Sequence, residues 1–265
     1  MTIAALQLAT LPMSGAKLDY YFRICKKRGV KLVLLSEYAL NSFFKELEST
    51  PKSMIKEQSE HKIRVLKELA KSYDLVVVAP IVRVKSNKLY KATIKVAPKS
   101  VHYYNQQFLI NYKHWNEERF FDNEIEKFSL PTFSLDGVKF GIINGFELHF
   151  DIAFEEIFQK NVDVVLTPSA STFDSSARWI ELLKMRAFTH SIYILRSNRV
   201  GVYKNKNELE WKFYGHSNLV NPWGEVELSL GHQEEILITT ICKDELNSAR
   251  KVWGWKRSLS KRGYF

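Results

Sequence analysis

Residues 141–151, Gly-Ile-Ile-Asn-Gly-Phe-Glu-Leu-His-Phe-Asp, read as a strand, a sharp bend and a helix start. Residues 138–143 are apolar and β-prone, Asn144-Gly145 is a turn dipeptide, and Asp151 opens an amphipathic run carrying Ile152, Ala153, Phe154, Ile157 and Phe158. Enzymes place nucleophiles at such bends: the tight turn projects one side chain into a cleft, and nearby backbone N–H groups can stabilise a developing oxyanion. Here the bend carries Gly145, which has no side chain to react. Taken alone, the pattern also fits an ordinary strand-turn-helix junction.

The other reactive residue types do not form a rival centre. Cys25 and Cys242 are the only cysteines and have no metal-ligand spacing, so neither a disulfide scaffold nor a zinc site is expected, and no cofactor is implied. Cys25 falls in the helical pattern 18–27 and Cys242 ends a strand-like run, which suits small apolar residues better than nucleophiles. The seven histidines do not cluster as ligands. The net charge of +10 falls in polar stretches such as 204–206 and 251–262, with no interleaved nucleic-acid motif, so a solvated face explains it better than a nucleic-acid partner. The short apolar run at the N-terminus is broken by Gln7, Thr10 and Pro12, so neither a leader nor a membrane span is expected and a reducing, cytoplasmic setting fits.

The elements that must position the bend alternate along the chain. Strand-like runs at 3–9, 31–35 and 75–81 are separated by helical patterns reaching about 28 and covering about 54–73. A hairpin-like pair, 82–84 and 89–97, leads through Pro98-Lys99-Ser100 to a strand at 101–104. After a polar, aromatic loop at 105–126, strands 132–135 and 139–143 flank the two-residue turn Asp136-Gly137. Then follow a helix at 152–159, strand 162–167, helix 176–190, strand 192–196, a hairpin pairing 216–220 with 226–228, and a strand at 235–242. So many strands, mixing crossovers with hairpins, predict an α/β protein built as a four-layer α-β-β-α sandwich. One domain is expected over 1–243, with a C-terminal helix and basic tail at 244–265 that packs on it or on a partner subunit.

Six separated segments, in order, resemble blocks of the nitrilase, or carbon-nitrogen hydrolase, superfamily. They are Leu34-Leu35-Ser36-Glu37-Tyr38-Ala39-Leu40, the bend 141–151, Thr167-Pro168-Ser169, Leu183-Lys184-Met185-Arg186-Ala187-Phe188, Ser197-Asn198-Arg199-Val200-Gly201, and Gly215-His216-Ser217 with Asn221-Pro222-Trp223-Gly224-Glu225-Val226. The resemblance covers nearly the whole chain. It implies the nitrilase-type sandwich, association through the outer helices as a homodimer, and acyl transfer from an amide, carbamoyl or nitrile carbon to a cysteine. In that chemistry a glutamate serves as general base and a lysine stabilises the oxyanion.

Carried over residue by residue, the resemblance is uneven. Glu37 matches the general base, and Glu147 stands where the family usually has an acidic residue. The family's tyrosine-x-lysine block aligns with Tyr104-Asn105-Gln106-Gln107-Phe108-Leu109, so Gln106 takes the lysine's place. A register starting at Tyr103 gives Asn105 instead, and Lys113 in the following loop is a rival. Gly145 aligns with the cysteine. His149 fills a position that the family often gives to arginine. Without a thiol and an oxyanion partner the covalent route is closed, and Glu37 alone could only position water.

Three functions remain in play. The first is a non-catalytic protein binding a small amide or amine through Glu37, Glu117 or Glu118, Phe146 and the backbone around Ser169 to Ser171. The second is a hydrolase of non-peptide C–N bonds working through Glu37 and activated water, with Lys113 or His149 in support. The third is an interaction or scaffold protein with a vestigial cleft, engaging partners through its outer helices and basic tail.

Overall fold

A computed structural model describes residues 1–204 and 210–264; Asn205 and Lys206 of the basic stretch, and the terminal Phe265, lie outside the described residues. In chain order the elements are β1 (Thr2–Gln7), α1 (Ala16–Lys27), β2 (Leu32–Leu35), α2 (Phe44–Leu47), α3 (Lys52–Tyr73), β3 (Val76–Lys85), β4 (Lys88–Ala97) and β5 (Ser100–Asn105). Next come β6 (Asn111–Tyr112), β7 (Trp115–Asn116), β8 (Thr132–Leu135), β9 (Val138–Ile142), a 3₁₀ helix (Gly145–His149), α4 (Asp151–Lys160), β10 (Val164–Ser169) and α5 (Ser176–His190). The chain continues through β11 (Tyr193–Asn198), β12 (Val200–Lys204), β13 (Glu210–Tyr214), β14 (Asn218–Val220), β15 (Val226–Ser229), β16 (Glu235–Thr240), α6 (Lys243–Trp253) and α7 (Trp255–Ser260).

Two six-stranded sheets result, ordered β16-β1-β2-β3-β4-β5 and β15-β14-β11-β10-β9-β8. The central strands β1-β2-β3 and β9-β10-β11 are parallel, and antiparallel strands flank them. Side chains alternate across a strand, so each central strand feeds two cores. Ile3, Ala5, Leu32 and Leu34 pack with Ile142, Val164, Leu166 and Leu195 between the sheets. Ala4, Leu6, Val33 and Leu35 face the helices α1 and α3, whereas Val165 and Ile194 face α4 and α5. In α3 the buried Ile55, Ser59, Lys62, Leu66 and Ala70 recur at spacings of three and four, which puts them on one stripe. The expected α-β-β-α sandwich is what the chain forms.

The bend and two added elements depart from the sequence reading. The bend does not pass directly into the helix: a 3₁₀ turn at Gly145–His149 intervenes, held by Glu147, whose carboxylate accepts from the Asn144 backbone and side-chain N–H groups. The pair β12–β13 and the short helix α2 were not anticipated. Phe43, just before α2, joins Phe44 of that helix, Trp211 and Phe213 of β13 and Trp115 in an aromatic cluster over one end of the sheets. The C-terminal helices pack on their own chain: Leu246 and Ala249 are buried, Arg250 pairs with Asp163 at 2.8 Å, and the Trp255 indole donates to the Phe188 carbonyl.

Candidate active site

The parallel strands of both sheets end on the same side, where open α/β sheets characteristically bind ligands. Glu37 follows β2, Gly145 follows β9, and Ser169 ends β10. The Ser169 carbonyl accepts from the Glu37 backbone N–H at 3.3 Å and from the Arg199 N–H at 3.1 Å, which ties the strand ends of the two sheets together. They enclose a cavity of about 400 Å³. Two other depressions of similar size, one against α6 and α7 and one beside α3, lie away from these strand ends.

One wall is ionic. Glu37 is buried, and its Oε2 lies 3.3 Å from the Lys91 ammonium. Lys91 also donates to both oxygens of Glu117, at 2.8 and 2.9 Å, and Tyr38 donates its hydroxyl to the same carboxylate. All four side chains are almost wholly buried. Burial pushes the Glu37 carboxyl up to about 7, partly offset by Lys91 and reinforced by Glu117 and Glu147. Burial pulls the Lys91 ammonium down, but the two carboxylates outweigh it and its pKa is raised. Glu37 lines the cavity, and its buried Oε1 has no hydrogen-bond partner among the described residues.

The structure places this buried cation where the sequence reading did not look. β4 and β5 pair with Ala92 opposite Asn105, and the Gln106 N–H continues the ladder by donating to the Lys91 carbonyl. Lys91 therefore stands directly across from Gln106, and opposed residues of an antiparallel pair project to the same face. The Gln106 amide turns back onto the Phe108 carbonyl at 2.8 Å. Asn105 is exposed at the end of β5, and Lys113 is exposed in the turn between β6 and β7, outside the cavity lining.

The other wall is crowded beside Gly145. A Cβ built on Gly145 would stand 2.9 Å from Ser169 Cβ and 3.4 Å from Ser169 Cα. The first of these contacts is too close, and Ser169 Cβ is not the far end of a flexible chain, whereas the second is ordinary van der Waals contact. Gly145 has no left-handed φ, so space rather than backbone conformation requires a glycine here. Ser169 is itself fixed: Arg196 Nε donates to its Oγ at 2.9 Å, and Asn198 Oδ1 lies 3.0 Å from that hydroxyl.

The remaining expected residues separate. Phe146, His149, Ser169 and Ser171 line the cavity with Glu37 and Gly145. His149 is exposed and its Nδ1 contacts the Phe146 carbonyl. Glu117 does not line the cavity, because both its oxygens are taken by Lys91 and Tyr38; Glu118 is exposed. Glu147 is buried and braces the 3₁₀ turn, also accepting from the Gln107 N–H at 2.8 Å. Sequence reasoning missed Lys91 and Arg196. Lys91 left no local signal, because β4 carries three lysines among its apolar residues in an ordinary polar–apolar alternation.

Comparison with known proteins agrees with this geometry. The Carbon-nitrogen hydrolase family model matches residues 3–251. The chain belongs to the carbon-nitrogen hydrolase family. N-carbamoylputrescine amidase of Solanum lycopersicum is 22% identical over 279 residues, covering 96% of this chain and 90% of that protein. Deaminated glutathione amidase of Synechocystis sp. is 24% identical over 112 residues, a match spanning only 40% of each protein. Among solved structures, a carbon-nitrogen hydrolase from Helicobacter pylori G27 superposes with a TM-score of 0.83 at 19% identity, covering 97% of this chain and 95% of that one. A cysteine-to-alanine mutant of the amidase from Nesterenkonia sp. AN1, in complex with butyramide, gives 0.77 at 18% identity, covering 96% and 95%. At these identities the structural matches establish the shared fold. No helix among the described residues is long and apolar enough to cross a membrane.

Proposed function

We propose that this carbon-nitrogen hydrolase family member is a non-catalytic protein whose cavity binds a small amide or amine without forming an acyl-enzyme. The observation that carries this is Gly145: the nucleophile's position has no side chain, and Ser169 fills the space one would need. Neither Cys25 nor Cys242 lines the cavity, and burial pushes the Cys25 thiol up to about 12, far from a thiolate at neutral pH.

The rest of the site supports binding. Glu37, Trp115 and Thr172 line the cavity, and their Oε1, indole N–H and hydroxyl are buried with no hydrogen-bond partner among the described residues. Buried polar groups are normally paired, so three such atoms around one cavity fit a ligand with both a donor and an acceptor, as an amide has. The Nesterenkonia mutant lacking its cysteine holds butyramide, a precedent for an amide seated in this fold without a thiol. Calorimetric titration with butyramide and with putrescine tests the reading. Saturable heat for either, abolished or weakened at least tenfold in Glu37→Gln, is expected; no heat with either ligand would reject it.

A second reading is favoured by one observation. A carboxyl pushed up to about 7 is suited to general-base work, so Glu37 could activate water directly on a bound amide. General-base catalysis contributes roughly 10²–10⁴-fold, which leaves a very slow hydrolase. Ammonia release that disappears in Glu37→Gln would establish this alternative.

A further inference from the structure

Next to the cavity, but outside its lining, two histidines from separate loops meet at the surface. His216 lies between β13 and β14 and is half-buried; His232 lies between β15 and β16 and is exposed. Their Nε2 atoms are 3.3 Å apart, whereas the ring centres are 4.3 Å apart at an interplanar angle of 44°. The nitrogen edges therefore converge. Two imidazole nitrogens bound to one tetrahedral zinc ion at about 2.0–2.1 Å stand roughly 3.3–3.4 Å from each other. That is the separation seen here, and it is long for a direct hydrogen bond between the rings.

The far side of each ring is anchored. His232 Nδ1 lies 2.9 Å from the Tyr214 carbonyl, which can only accept, so Nδ1 carries the proton and Nε2 presents its lone pair. His216 Nδ1 lies 2.5 Å from the hydroxyl of Ser176 at the start of α5; a hydroxyl can accept from that nitrogen and leave the second Nε2 lone pair free as well. Metal-bound histidines are characteristically oriented by such a contact at the other nitrogen. The backbones are pinned too, by one buried side chain. Gln7 Oε1 accepts from the Ser217 N–H at 2.8 Å, and Gln7 Nε2 donates to the carbonyls of Gly231 and Gln233 at 2.9 and 2.6 Å. It thus braces the residue after His216 and those on both sides of His232. The His216 N–H donates to the Gly231 carbonyl at 3.1 Å, with His216 at φ 58° in the left-handed region. The two rings are positioned before any ion arrives.

We propose that His216 and His232 form a binding site for a divalent, imidazole-preferring metal ion of the zinc class, with solvent completing its shell. Among the described residues no third histidine, cysteine or carboxylate joins the pair, so the site is open and weaker than a closed four-ligand centre. The positive charge of Arg196, which acts on His216, weakens it in the same sense. The ion clamps together the segment before β14, the loop at 231–233 and, through Ser176, the first turn of α5. Ser175 lines the cavity and its hydroxyl lies 3.2 Å from that of Tyr214, so the clamp stands against the cavity rim and is independent of what the cavity holds.

The test is calorimetric titration of the untagged full chain with zinc sulfate and, separately, with magnesium sulfate. Saturable binding of a single zinc ion is expected, and none of magnesium, which prefers oxygen ligands. His232→Ala should weaken zinc binding about tenfold or more, and so should His216→Asn, which keeps a residue that tolerates the left-handed backbone. Saturating zinc should also raise the melting temperature of the unaltered chain and leave that of both variants unchanged. Absence of heat with zinc overturns the proposal, as does zinc affinity that is unchanged in either variant. Binding that survives both substitutions but is lost in His149→Ala puts the ion in the cavity and equally overturns it. His232 is exposed, so should His216→Asn fail to fold, His232→Ala still decides.

Discussion

The two walls of the cavity differ in what their side chains supply. On the Glu37 wall a buried cation is present, though at none of the positions read from the sequence: Lys91 reaches in from β4, across the ladder from Gln106, and bridges Glu37 and Glu117. On the Gly145 wall position 145 offers no side chain. Its space is occupied by Ser169, held by Arg196 and Asn198. A point charge can be delivered from a neighbouring strand because a lysine is long and only the position of its ammonium matters. A nucleophile cannot be relocated so easily, since it must sit at one bend with its oxyanion donors around it. One wall tolerates substitution by geometry; the other does not.

The largest expected effect breaks the ionic wall. Lys91→Met would leave two buried carboxylates without their cation and should cost about 3–5 kcal/mol of stability by chemical denaturation. If the strand-opposite relation is right, adding Gln106→Lys to that variant should restore part of the loss, whereas Gln106→Lys alone, placing a second ammonium beside Lys91, should destabilise. Next comes the crowded wall. Gly145→Ala should cost about 1–3 kcal/mol through overpacking, and Ser169→Gly in the same chain should relieve most of it, a coupling that a double-mutant cycle measures.

A smaller effect follows from protonation. The Glu37 carboxyl is raised from 4.5 to about 7, so between those values the folded state binds more proton than the unfolded one. Stability contributed by the neutral carboxyl is fully present below about 4.5 and is lost as pH rises through 7. Glu37→Gln should flatten the unfolding free energy across that window, although Glu147, also raised by burial, keeps some slope of the same sign. The smallest effect is expected outside both walls. Lys113→Ala and Glu118→Ala, at exposed positions, should each change stability by less than about 0.5 kcal/mol and leave ligand binding unaltered.

What was legible in the sequence follows the same division. The sandwich could be read because β-α alternation, hairpin turns and apolar runs are local signals, and Glu37 and Gly145 could be placed because each sits at the end of a readable strand. Lys91 was hidden because its partner strand, and hence its register opposite Gln106, is a tertiary fact. Its own strand, Leu-Tyr-Lys-Ala-Thr-Ile-Lys-Val, reads as an ordinary alternation of polar and apolar residues. Arg196 was hidden for a related reason: a charged residue closing the run Tyr-Ile-Leu looks like a strand terminus, whereas here it continues the outer-facing row beneath α5. The 3₁₀ turn at Gly145–His149 was invisible because it depends on the Glu147 carboxylate folding back on Asn144.

On the proposed reading the cavity holds an amide and leaves its C–N bond intact because position 145 offers no nucleophile. The most direct measurement incubates the purified chain with butyramide at saturating concentration and follows ammonia release together with the intact protein mass. Saturable binding with no ammonia above the protein-free rate and no added mass is the predicted result. Sustained ammonia release that is lost in Glu37→Gln, or a covalent acyl adduct on any residue of the cavity, would contradict it.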